Sequence, residues 1–307
     1  MKFMRKLKIV LCVVLAVLVA AVAGLGIWLY PVYRGADFMS RNMDMGNLTF
    51  DMTVTLSEER MTDAQRELFT AISGITGIAE EDFRTLHLQG STGGDVIYVK
   101  ITPQNCDTPL TELYLSDEAD MLNGTMIYDR VRGNLVQGNA LLEKLIPEWS
   151  GGEYISMAQA EEMFGVDLTG LKEFSLSSYN NLFSLKKCFA LFAVMQRMKD
   201  ADGNREFYTE NDNLHITLCG GESDRIQMAV NINDMPQSLE KADALLAKAG
   251  IQKNLSDKKL LHCLQSAEGT VTVGDAPEVQ MPDSLLNQDV VEKISTVRTI
   301  LQELFGE

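Results

Sequence analysis

Alternation of apolar and polar side chains marks the first strand. In Leu48-Thr49-Phe50-Asp51-Met52-Thr53-Val54-Thr55-Leu56 every second residue is apolar. That is the period of a strand with one face buried. Residues 58–79 change to a helical period: Met61, Ala64, Leu68, Ala71, Ile72 and Ile75 recur at spacings of three and four, with Ser57 as N-cap candidate and Gly74 and Gly77 near the end. Ahead of both, residues 36–45 read as a short helix.

Three further strands follow at Leu86–Gly90, Asp95–Ile101 and Glu112–Leu115, broken by Gly93-Gly94 and by the stretch from Pro103 to Pro109. Asn123-Gly124 between the apolar arms of Met121–Tyr128 predicts a hairpin. Residues 139–147 predict a short helix, and Ser156 opens another that runs to Phe164. Leu182–Met198 reads as a broad apolar helix. A β meander then covers Arg205–Glu210, Leu214–Cys219 and Arg225–Asn233. Helices are expected at Ser238–Lys248 and Asp257–Ser266, and late strands at Thr270–Val273 and Val279–Met281. Asp283 caps a terminal helix in which Val290, Ile294, Val297, Leu301 and Leu304 are spaced 4-3-4-3. Its seam is too short to claim a coiled coil, and packing on the chain's own sheet is the expected use. Strand runs interrupted by helices, with hairpin turns between neighbours, predict an α+β fold: a curved antiparallel sheet packed with several helices.

The first thirty-four residues have another character. Lys2, Arg5, Lys6 and Lys8 precede an uncharged run from Ile9 to Tyr30, which Trp28, Tyr30, Pro31, Tyr33 and Arg34 bring to a close. As a helix, 9–30 measures roughly 33 Å, enough to cross a hydrocarbon core of about 30 Å. Basic residues stay cytoplasmic and aromatic residues gather at the headgroups. The expected plan is a cytoplasmic segment 1–8, a single transmembrane helix 9–30 and an extracytoplasmic domain 31–307 at the cell membrane. The competing reading is a cleaved signal peptide, for which Ala21-Val22-Ala23 supplies an A-x-A pattern. The apolar run continues to Tyr30, beyond the usual length of a signal core, and this favours retention.

Charge narrows the partners. Net charge is −16, and since Lys2, Arg5, Lys6 and Lys8 contribute +4, the remainder carries −20. Nucleic acid is excluded as a partner, because it needs clustered Lys and Arg. Beyond the apolar run there are four cysteines, Cys106, Cys188, Cys219 and Cys263, which allow three disulfide pairings but contain no CxxC and no zinc-ligand spacing.

Candidate chemistry is sparse. His87, His215 and His262 are the ordinary candidates for a general base, yet no Ser or Cys stands in a nucleophile motif. Asp200-Ala201-Asp202-Gly203-Asn204 begins like a calcium loop, but Arg205 stands where Gly is needed and Asn211 where Glu is needed. Asn47, Asn123 and Asn254 begin sequons, which matter only in a eukaryotic secretory route. Phosphate loops and dinucleotide fingerprints are absent. No enzyme, cofactor or metal is expected.

One resemblance covers about two thirds of the chain. A basic start and an apolar segment lead to a short helix, the alternating strand Leu48–Leu56, hairpins through Tyr128, Trp149, and late strands ending in Val279-Gln280-Met281-Pro282-Asp283. This order resembles the LolA/LppX-like lipoprotein carriers of the bacterial envelope. The resemblance implies a half-open antiparallel barrel whose helices enclose an acyl chain. The chain departs from that pattern in lacking a lipobox and in its extra helices at 182–198 and 238–266. The expected function is a membrane-anchored binding or cell-envelope domain holding a lipid or other apolar ligand, with Phe183, Phe189, Phe192, Met195 and Met198 as candidate lining residues. The alternative is a structural or regulatory envelope protein that acts through protein partners without a ligand cavity.

Overall fold

The strand expected at Leu48–Leu56 stands at the centre of an eleven-stranded antiparallel sheet. The computed structural model describes residues 29–42, 47–93, 96–165, 184–199, 205–209, 214–219, 225–248 and 263–305, save single positions within them. The strands are β1 (Leu48–Leu56), β2 (Thr85–Gly93), β3 (Val96–Pro103), β4 (Thr111–Leu115), β5 (Asp120–Asn123), β6 (Tyr154–Ser156), β7 (Gln196–Lys199), β8 (Arg205–Tyr208), β9 (Leu214–Cys219), β10 (Arg225–Ile232) and β11 (Leu264–Val273). Their order across the sheet is 6-5-4-3-2-1-11-10-9-8-7. The chain walks outward from β1 to one edge, crosses to the other, and walks back until β11 pairs with β1 over nearly their whole length. Pairing β6 with β7 would close this meander into an up-and-down barrel; they stand instead at opposite edges, and the sheet is open.

Helices α1 (residues 29–42), α2 (Asp63–Thr76), α3 (Gly124–Val136), α4 (Ala140–Leu145), α5 (Met157–Phe164), α6 (Leu185–Val194), α7 (Met235–Lys248) and α8 (Gln288–Phe305) complete the α+β fold. Register assigns the sheet faces, because directly opposed residues point the same way. One row runs Ile155–Leu122–Leu113–Val99–Gly90–Phe50–Val271–Met228–Ile216–Phe207, across ten strands without a polar side chain. The neighbouring row on the other face reads Glu112–Lys100–Gln89–Asp51–Thr270–Ala229–His215–Tyr208. The sheet is therefore apolar on one face and largely polar on the other.

Two core clusters occupy the apolar face, one on each wing. On the wing of β8–β11, Val32, Ala36 and Met39 of α1 and Cys188 and Phe192 of α6 pack with Phe207, Ile216, Ile226, Met228 and Val273. Phe192 meets Phe207 edge-on, with ring centroids 4.9 Å apart. On the wing of β4–β6, Tyr128, Met157, Ala160, Met163, Val291 and Ile294 from α3, α5 and α8 close over Leu122 and Ile155. A strap, residues 276–286, joins the sheet centre to this wing. Ala276 N donates to Asn47 Oδ1 (2.7 Å), and Leu286 N donates to the Tyr154 carbonyl (2.8 Å), which covers the β6 edge. α8 then lies along α5, where Gln159 Nε2 reaches the Leu286 carbonyl at 3.2 Å.

Several elements differ from the sequence reading, each for a local reason. The Asn123-Gly124 hairpin does not form. Asn123 Oδ1 instead accepts from Met126 N (3.1 Å) and caps α3, while Gly124 sits where a Cβ would be 2.5 Å from the Trp149 ring. Helix α2 starts at Asp63, because Thr62 and Gln65 form a capping box, and Gly77 in the left-handed region (φ +70°) ends it. α6 stops at Val194, so Met198 belongs to a strand. α7 begins three residues early, with Asp234 Oδ1 accepting from Gln237 N. Leu264–Ser266 extend β11, and 279–281 form part of the strap and no strand. Among the described residues the first helix is present from 29 through 42, ahead of the expected start at 36; the expected end at 45 lies outside them. The expected membrane span 9–30 lies outside the described residues except for its last two, and among the described residues no helix is long and apolar enough to cross a membrane.

Candidate functional site

Between the two wings the apolar face continues without belonging to either core. Phe50, Met52 and Val54 of β1, Leu86 and Leu88 of β2, and Val99 and Ile101 of β3 point to this face, and all are half-buried. None packs into either cluster. From β3 across β2, β1 and β11 to β10, no ionisable residue stands on this face. At about 4.8 Å between strands, the floor that β3, β2 and β1 supply outside the two cores is roughly 10 Å wide.

Two glycines shape the floor. A Cβ on Gly90 would stand 2.1 Å from the Tyr98 carbonyl oxygen and 2.5 Å from Cζ of Phe50. A Cβ on Gly269 would stand 2.1 Å from the Asp51 carbonyl oxygen and 2.9 Å from the Met52 sulfur. Gly269 also has φ +151°, which an L side chain rarely adopts. Glycine inside a strand marks a bend or a close approach of backbone. Here Phe50 lies down across Gly90 toward β2, and Met52 lies down over Gly269 toward β11. The two largest side chains of β1 therefore line the floor rather than stand up from it.

This surface can hold hydrocarbon and cannot perform acid–base chemistry. Titratable groups gather on the reverse face. His87 Nε2 is 2.6 Å from Asp51 Oδ1, and Gln89 Nε2 donates to Asp51 Oδ2 at 2.8 Å. The bond from Gln89, followed by that from His87, holds the Asp51 carboxyl below the usual carboxylate range. His215 Nε2 lies 3.3 Å from Glu206 Oε2. Tyr98, Tyr114 and Tyr154 form a ladder with centroids 5.0 and 5.5 Å apart, and Tyr98 donates to Glu112 Oε1 at 2.9 Å. Burial, then that bond, pushes the Tyr98 hydroxyl up to about 12; burial raises Tyr114 as well. The Tyr98 and Tyr114 hydroxyls therefore stay protonated at neutral pH.

Three of the residues expected to line a ligand site meet in one wing core rather than at the floor. Phe192 and Met195 fill the core of the β8–β11 wing, and Phe189 packs against it. Met198 sits on β7, opposite Glu206 on the polar face, and is 48% exposed. Phe183, His262 and the calcium-like stretch 200–204 lie outside the described residues. Cys188 and Cys263 are buried, Cys106 is half-buried, and burial raises the Cys263 thiol. Among the described residues no group of three or more His, Cys, Asp or Glu could hold a metal. Sequence reasoning does not find the central floor: it ends one strand at Gly90 and starts another at Thr270, so neither Gly90 nor Gly269 falls inside an expected strand, where a glycine would signal a bend. Comparison with known proteins gives no match: no family model, no curated protein and no solved structure is similar to this chain.

Proposed function

We propose that the chain is a membrane-anchored extracytoplasmic binding domain that lays an apolar molecule, such as an acyl chain, on the centre of its apolar sheet face. The observation that carries this reading is the half-buried floor of Phe50, Met52, Val54, Leu86, Leu88, Val99 and Ile101 between two wings that helices have closed. Ligand sites are mostly apolar and few per protein, and this floor is a contiguous run of apolar sheet residues outside both cores. The basic and apolar start of the chain supplies the anchor. An open antiparallel sheet with helices on its apolar face also suits the carrier role implied by the LolA/LppX-like resemblance.

Native mass spectrometry of the purified protein, with extraction of bound lipid, tests the reading. The wild type should carry a co-purifying apolar molecule. Leu88→Trp or Ile101→Trp should expel it while the unfolding midpoint stays close to wild type. A wild type that is empty from every membrane source, or Trp variants that retain the molecule, would end the proposal.

A further inference from the structure

The helix that follows the expected membrane span is not a tether. α1 is already helical at residue 29, and its inward side is locked: Val32 and Ala36 are 0% exposed and Met39 is 2% exposed, all within the core of the β8–β11 wing. Tyr30 and Tyr33 are 63% and 50% exposed on the same turn. At about 1.5 Å per residue, Val32 lies only about 3 Å along the helix from Tyr30, the last residue of the apolar run. No linker fits between a residue at the membrane boundary and one inside the domain core.

We propose that the exposed Tyr30–Tyr33 turn is a bilayer-contact surface and that α1 seats the domain rigidly on the outer headgroup layer. This rests on the retained-anchor reading of residues 9–30. The occupant of this surface is lipid, because the chain that precedes α1 arrives there directly from an apolar run of membrane-spanning length. Tyrosine suits the position: its ring is apolar and its hydroxyl is wet, as the headgroup layer requires. Rigidity matters because the rest of the chain carries −20, a charge that an anionic leaflet repels. A domain on a flexible tether would drift outward; one whose core begins two residues after the span cannot. The same geometry holds the binding floor at a set distance from the bilayer that would supply an acyl chain.

The test is photo-crosslinking of the full chain in lipid vesicles, with p-benzoylphenylalanine placed at Tyr33 or, as a distant exposed control, at Leu285, and with carbonate washing to score membrane retention. The expected result is a lipid adduct at 33, none at 285, and loss of the adduct at 33 when a flexible Gly-Ser linker is inserted after Tyr30. A retained protein with no lipid adduct at 33, or with a protein adduct there instead, overturns the proposal and leaves the anchor standing. An adduct at 285 as strong as at 33, or one at 33 that survives the linker, overturns the fixed seating. Release by carbonate overturns the anchor reading itself, and the seating with it.

Discussion

A single row of opposed side chains crosses ten strands of this sheet, yet its ends and its middle have different fates. At one end Ile155 is fully buried beneath α5, and at the other Phe207 is buried against α6. In the middle Val99, Gly90 and Phe50 stay half-buried. The strands are alike in period, so alternation cannot be the cause. Alternation decides which face is apolar; the helices decide how much of that face becomes core. The wings are packed interior, while the centre stays half-buried and outside both cores, which is where the proposed function places a ligand.

Deleting a large side chain from each region is the most direct way to break this comparison. Phe192→Ala empties a fully buried site next to Phe207 and should cost about 3–5 kcal/mol. Phe50→Ala removes a half-buried ring and should cost less than about half as much, since the water-exposed part of the ring contributes little. Urea unfolding of the detergent-solubilised chain measures both. Equal losses would mean that the centre is as closed as the wings.

The glycines sharpen the same contrast. Gly269→Ala places a methyl against the Asp51 carbonyl at a φ of +151°, and should destabilise by about 1–3 kcal/mol. Gly133 in α3 has nothing within 4 Å of a new Cβ, so Gly133→Ala should stabilise by about 0.5–1 kcal/mol. A Gly269→Ala variant as stable as wild type would remove the bend from the account of the floor.

These differences show what could be read in advance. β1 has the expected bounds, Leu48 to Leu56, because strict alternation in one strand is a local signal. The β8–β10 meander was legible for the same reason, as was the Ser156 cap of α5, whose capping box with Gln159 is complete. What escaped was set by distant partners. Asn123-Gly124 has hairpin chemistry, yet Trp149 and the Glu153 carbonyl turn it into a helix start. Phe192 has the character of a lining residue, but Phe207, on a strand beyond the helix, makes it core. The floor itself depends on which strands lie side by side, above all the pairing of β1 with β11, more than 200 residues away in the chain.

The smallest effect concerns the reverse face of the same central strand. Met52 points to the floor, and its neighbour Asp51 points to water, where His87 and Gln89 hold it. Its carboxyl sits below the ordinary 3.8, chiefly because Gln89 and His87 hydrogen-bond to the charged form. A depressed folded value means that the folded chain binds the proton less readily than the unfolded one. The stabilisation is therefore present above the ordinary value and is lost as pH falls through the folded value. Because Asp51 is more than half exposed, solvent screening holds the effect to a few tenths of a kcal/mol. Asp51→Asn should lower stability by about that much at neutral pH, with the gap from wild type closing as pH falls below about 4. The Leu88→Trp floor variant should keep the same acid profile as wild type, because its change lies on the other side of the sheet. A gap between Asp51→Asn and wild type that stays constant from neutral to acid would show that Asp51 acts through shape rather than charge. A Leu88→Trp profile altered at acid pH would show that the two faces of the central strands are coupled.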